Sequence, residues 1–249
     1  MNRLEEAPLA TLSPSGKHAA RGTTLPTWRP LRAAGDLLAP PAEPLPIATF
    51  APAKYEPGYR YPLLVWMHEA ASSEAELRVV MPHVSLQNLV AVAPRGDSDP
   101  QHDHRFRWTN SAAGVAEAED AVFEAIDTAR ERFSVHPDRV FLAGAGAGGA
   151  MALRIALRQP GAFAGVASLD GALPRGGQLL GRVNDARRLP LLLASSRGSA
   201  GYTQPELCED LALLHAAGIS VDVRQYPGED SVTTEMLADL HRWVMGQFC

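Results

Sequence analysis

Six residues, Gly144-Ala145-Gly146-Ala147-Gly148-Gly149, follow the apolar run Arg139-Val140-Phe141-Leu142-Ala143 and open an Ala- and Leu-rich helical stretch stopped by Pro160. A strand that turns this sharply into a helix offers backbone N–H groups and the positive end of the helix dipole to whatever lies above the turn. Two chemistries use such a turn. The spacing Gly144, Gly146, Gly149 satisfies G-x-G-x-x-G, and Asp170 ends the next strand 21 residues beyond Gly149. In a dinucleotide-binding protein those glycines admit a pyrophosphate and the acid holds the ribose. That fingerprint belongs to the first βα unit of its domain, whereas here at least two strands and two helices come before it. In the second chemistry the apex of the turn raises a nucleophile toward a substrate. The apex here is Gly146, which has no side chain and cannot attack. His102-Asp103-His104 has metal-ligand residue types, but no further Cys or His stands nearby, so the triplet reads as solvent-exposed and neither a metal nor another cofactor is expected.

The elements that must position this turn are short and well punctuated. Before residue 47 the chain holds eight of its 20 prolines and no sustained periodicity, which reads as an extended, partly disordered arm over residues 1–46. From residue 47 to residue 249, apolar runs alternate with helical spacing, the pattern of a mostly parallel sheet with helices on both faces. Strands are expected at 47–50, 63–67, 89–93, 139–143, 166–169, 189–194 and 221–226, and helices at 74–87, 115–133, 150–158, 204–217 and 231–248. A polar loop from Pro94 to Gly114 has the position of a lid or rim.

Composition narrows the function classes. A net charge of -5 without a basic run argues against nucleic acid or an anionic membrane surface as a partner. No stretch is long and apolar enough to span a bilayer, and Glu5, Glu6, Pro8 and Pro14 interrupt any leader-like apolar segment. Cys208 and Cys249 are too few for a disulfide framework, so reduced thiols and a cytoplasmic location are expected. Nothing in the residues bears on homo-oligomer formation.

The stretch VHPDRVFLAGAGAGGAMALRIALRQPGAFAGVASLDGALP, residues 135–174, resembles the core of the phospholipase/carboxylesterase (dienelactone-hydrolase-like) branch of the α/β-hydrolases. The likeness runs from LLVWMHEA at 63–70 to RQYPGED at 224–230. It implies an α/β-hydrolase fold and a Ser, acid and His triad on which ester hydrolysis depends. All three positions depart from the pattern. Gly146 stands for the serine, between the flanking Gly144 and Gly148; Ser199 stands for the acid, in a loop without Asp or Glu before Glu206; Asp230 stands for the histidine. The next histidine, His241, falls inside the terminal helix, out of reach of the turn. No catalytic residue is therefore assigned.

What the resemblance leaves intact is backbone. It implies oxyanion-hole donors at Ala147 and within His68-Glu69-Ala70, with His68 ordering that loop, and open space above Gly146 at the helix N-terminus. Glu69 is unexpected, because a glycine belongs there. Gly146, Trp108 and Asp170 are the candidate pocket residues; Trp66 and Trp108 read most simply as packing, and Ser72, Ser73, Ser195 and Ser196 as caps. The expectation is a pseudoenzyme that binds a small anionic or carbonyl ligand, or a protein partner. The alternatives are a weak ester hydrolase using rearranged residues, and a dinucleotide-binding protein using Gly144, Gly146, Gly149 and Asp170.

Overall fold

The computed structural model describes residues 46–176, 179, 181–229 and 232–248; the proline-rich arm up to residue 45, Asp230 and Cys249 lie outside the described residues. The strands are β1 (Ile47–Phe50), β2 (Tyr61–Met67), β3 (Val90–Pro94), β4 (Asp97–Ser98), β5 (Phe106–Arg107), β6 (Val135–Ala145), β7 (Gly165–Leu169), β8 (Leu191–Ser196) and β9 (Asp222–Tyr226). The helices are α1 (Leu77–Val84), α2 (Ala112–Arg132), α3 (Gly146–Arg158), α4 (Val183–Ala186), α5 (Gln204–Ala216) and α6 (Thr234–Gly246). Seven strands form one sheet in the order β1-β3-β2-β6-β7-β8-β9, parallel except for β1 against β3.

The strands buried on both faces are apolar at nearly every position, and alternate side chains separate into two layers. Leu63, Val65, Val92, Leu142, Val166 and Leu193 face α2, α3 and α5 through Val122, Ile126, Ala152, Ile155, Leu207 and Leu214. Leu64, Trp66, Ala91, Phe141, Ala167 and Leu192 face α1 and α6 through Leu77, Met81, Leu237, Leu240 and Trp243. This sandwich holds β6 at the centre of the sheet, so the turn that follows it opens at the carboxyl ends of the parallel strands. None of the described helices is long and apolar enough to cross a membrane.

Several boundaries differ from the sequence expectations. α3 begins at Gly146, not at residue 150, because close packing against β2 and β7 holds glycines that have little helical propensity of their own. β6 reaches back to Val135 through His136-Pro137-Asp138. Pro82 falls inside the helical stretch, which resolves into a short 3-10 turn and α1. The 94–114 segment is not a plain loop: β4 and β5 pair as a two-stranded ribbon, and Ser111 caps α2 by accepting from the Gly114 amide at 3.1 Å.

Candidate functional site

The turn between β6 and α3 is closed by glycines for which no other residue would fit. A Cβ on Gly148 would collide with the carbonyl oxygens of Met67 and His68, and one on Gly144 would lie 2.7 Å from the Met67 oxygen. A Cβ on Gly149 would lie 2.5 Å from the hydroxyl of Ser168 and 2.8 Å from the carbonyl oxygen of Gly144. At the apex, Gly146 has φ +48°, the left-handed region that glycine enters without strain. Its surroundings are different in kind. The three atoms nearest a Cβ there all belong to the Glu69 side chain, with Oε1 at 2.6 Å, Cδ at 3.2 Å and Cγ at 3.4 Å.

Open space is expected above Gly146 from the sequence, but the position a side chain would take there is occupied by the Glu69 carboxylate. The backbone of Glu69 is fixed on both sides. Its amide donates to Glu76 Oε2 at 3.1 Å, and the other oxygen of Glu76 accepts from the Trp66 indole at 2.9 Å. Its carbonyl accepts from the Ser72 amide at 3.2 Å and lies 2.8 Å from His68 Nδ1. The donor expected at Glu69 for an oxyanion hole is therefore already engaged by a carboxylate. Ala147 lines the cavity as expected; Ala70 does not, and the chain turns through left-handed backbone at Ala71.

His68 is fully buried, and both of its ring nitrogens have partners. The Gly96 amide donates to Nε2 at 3.1 Å, which makes Nε2 the acceptor and leaves the proton on Nδ1, facing the Glu69 carbonyl. Desolvation by burial lowers its pKa, and the hydrogen bond to the Glu69 carbonyl with the neighbouring carboxylates of Glu76 and Glu74 offsets this only in part. Trp108 lies behind the same loop and not at the cavity mouth. Its indole donates to the His68 carbonyl at 2.8 Å and its ring packs on the imidazole with centroids 4.8 Å apart, which gives a buried N–H its acceptor. Trp108 is accordingly absent from the cavity lining.

The cavity itself, about 420 Å³, is lined by Glu69, Gly146, Ala147, Ala150, Asp170 and Ser199, with Gly171, Ala172, Gly201 and Val232 completing it. Asp170 has φ +53° and accepts from Ser196 twice, from its amide at 2.6 Å and its hydroxyl at 2.8 Å. Ser199 is buried, and its Oγ accepts from the Tyr202 amide at 3.0 Å. The loops that follow β7 and β8 are joined by the buried Asp210, which accepts from the Leu173 amide at 2.7 Å, from the Tyr202 hydroxyl at 2.9 Å and from Arg175. Burial and the Asp210 carboxylate together push the Tyr202 phenol well above its ordinary pKa.

Other candidates fall elsewhere. His241 pairs with Asn88 at 3.3 Å, before β3 and so at the opposite end of the sheet. His102 pairs with Asp99 at 2.9 Å in the exposed connection of the β4–β5 ribbon. Asp230 lies outside the described residues. For a dinucleotide the arrangement is unfavourable: Glu69 places a carboxylate where the pyrophosphate would lie, and Asp170 is committed to Ser196.

Known proteins agree with this architecture. Residues 41–200 match the family described as "Putative esterase". A probable carboxylesterase of Oryza sativa subsp. japonica is 28% identical over 159 residues, 61% of this chain and 54% of that protein, so the chain spans about half the length of the curated relative it matches. SOBER1 of Arabidopsis thaliana superposes with a TM-score of 0.64 at 20% identity, over 76% of this chain and 100% of that one. A Bacillus cereus carboxylesterase does so with a TM-score of 0.66 at 15% identity, over 83% and 96%. The family match over 41–200, with the sheet order and the glycine-closed turn at its centre, places the chain in the "Putative esterase" family with an α/β-hydrolase fold.

Proposed function

We propose that this member of the family is a pseudoenzyme that binds a small ligand in the cavity above the β6–α3 turn without hydrolysing it. The observation that carries the reading is the Glu69 carboxylate over Gly146, in the volume that a nucleophile's side chain would need. Covalent ester hydrolysis requires an oxygen or sulfur at the apex, a base within hydrogen-bond reach of it, and a group to orient the base. Gly146 supplies no such atom. His68 has both nitrogens engaged, and His241 lies at the other end of the sheet.

A second reading has support from one feature, the two carboxylates of Glu69 and Asp170 on the cavity lining. A carboxylate can act as general base toward water, which would make the chain a rearranged ester hydrolase. One assay separates the two. p-Nitrophenyl acetate and butyrate are offered to the native chain, to Glu69→Gln and to Gly146→Ser/Ser199→Asp/Asp230→His. The binding reading expects native turnover indistinguishable from buffer and no burst. Native turnover abolished in Glu69→Gln would establish the second reading instead.

A further inference from the structure

The position of Glu69 bears on which ligands the cavity can take. The N-terminal amides of a helix form a site for anions, and in an elbow of this fold they are where a negatively charged group settles. Here α3 starts at Gly146, at the foot of the cavity, and the group above its first residue is the protein's own carboxylate. The side chain of Glu69 is exposed, but the residue does not sit there by default. Its amide is held by Glu76, which is held in turn by Trp66, and its carbonyl by Ser72 and by a buried His68 fixed through Gly96. These contacts fix the backbone of Glu69 beside the turn, and its side chain lies over Gly146.

We infer that Glu69 is the resident anion of the elbow and the determinant of its selectivity: it takes the place of the missing serine side chain and closes the helix N-terminus to external carboxylates, leaving the rest of the cavity to ligands without negative charge. Asp170 on the same lining adds to the exclusion, since a second like charge raises the cost of bringing in an anion. This inference rests on the elbow being a binding cavity. It does not depend on whether the chain hydrolyses esters. Glu69 and Gly146 form one unit in this arrangement, because a side chain at 146 and the carboxylate of 69 compete for the same space.

Acetate titration followed by backbone amide NMR tests the inference, with native protein, Glu69→Ala and Glu69→Gln compared at constant ionic strength. Acetate is expected to shift the amides of Ala147 and Gly148 in Glu69→Ala with an affinity at least about tenfold above that of the native chain, and to leave native amides unmoved. Equal response of native protein and Glu69→Ala, or response of neither, overturns the inference. Thermal unfolding gives an independent readout. Gly146→Ala is expected to lower Tm less in the Glu69→Ala background than alone, whereas identical losses in the two backgrounds would show that residue 69 does not occupy the space above the turn. Ester turnover by the native chain would overturn the proposed function and leave both of these outcomes readable.

Discussion

Asp170 and Ser196 are joined twice, through the Ser196 amide at 2.6 Å and its hydroxyl at 2.8 Å, so that one carboxylate clamps the carboxyl ends of the neighbouring parallel strands β7 and β8. The clamp is held in left-handed backbone, at φ +53°. An alanine there loses both hydrogen bonds and keeps an unfavourable conformation, which costs about 1–2 kcal/mol by itself. A glycine loses the same bonds without that penalty. Asp170→Gly is therefore expected to be about 1 kcal/mol more stable than Asp170→Ala, the reverse of the usual order. Urea unfolding midpoints of the two variants check it.

Asp210 is fully buried and accepts from Leu173, Tyr202 and Arg175. Removing the carboxylate leaves a buried amide and a buried phenol without their acceptor, while the half-exposed Arg175 keeps the Leu173 carbonyl and Glu209. Asp210→Ala is expected to cost about 2–4 kcal/mol, from two buried donors left unsatisfied, whereas Tyr202→Phe costs about 1–2 kcal/mol. Amide exchange should quicken over 171–176 and 199–202 in Asp210→Ala. Unchanged exchange in both loops would mean that Asp210 does not join them.

His68 and His241 both have pKa values lowered by burial from the ordinary 6.5. Their neutral forms are favoured in the folded chain, while the unfolded chain takes up protons once the pH drops below 6.5. Their contribution to stability is thus fully present above pH 6.5 and is lost as the pH falls from there through the folded values. Each group contributes a slope of at most about 1.4 kcal/mol per pH unit. Denaturation at pH 7.5, 6.5 and 5.5 should show a shallower loss in His68→Gln and in His241→Gln than in the native chain.

The glycines of the elbow differ sharply from glycines elsewhere. Gly148→Ala forces Cβ into two carbonyl oxygens of β2 and its following loop, and is expected to cost about 3 kcal/mol or more. Gly58 has nothing within 4 Å of an added Cβ. Gly58→Ala is expected to be neutral or to stabilise by about 0.5 kcal/mol, through lower entropy of the unfolded chain. Paired thermal melts decide both.

The fold was legible in the sequence wherever a segment's burial depends on its own residues. Leu63 to Met67, Phe141 to Ala143 and Leu191 to Ala194 are apolar throughout, because a central parallel strand is covered on both faces. The β4–β5 ribbon escaped notice since two residues per strand carry no periodicity. The site was legible as backbone and only partly as side chains. The glycines at 144, 146, 148 and 149 announce the turn, and the unexpected glutamate at 69 marks its position as unusual. How the backbone is held at residue 69 depends on Glu76, Trp66, Ser72 and His68 together, and no spacing rule expresses such a set. Trp108 illustrates the same limit: an aromatic residue in a polar segment looks like a rim, yet its indole finds an acceptor 40 residues away in the chain.

The bare apex at Gly146 also affects how such chains are counted. Reagents that mark hydrolases by bonding to the nucleophile's oxygen find no atom to bond at this turn. On the proposed reading a survey of a proteome by such reagents passes over the chain, whereas a survey by sequence or by fold includes it among the esterases.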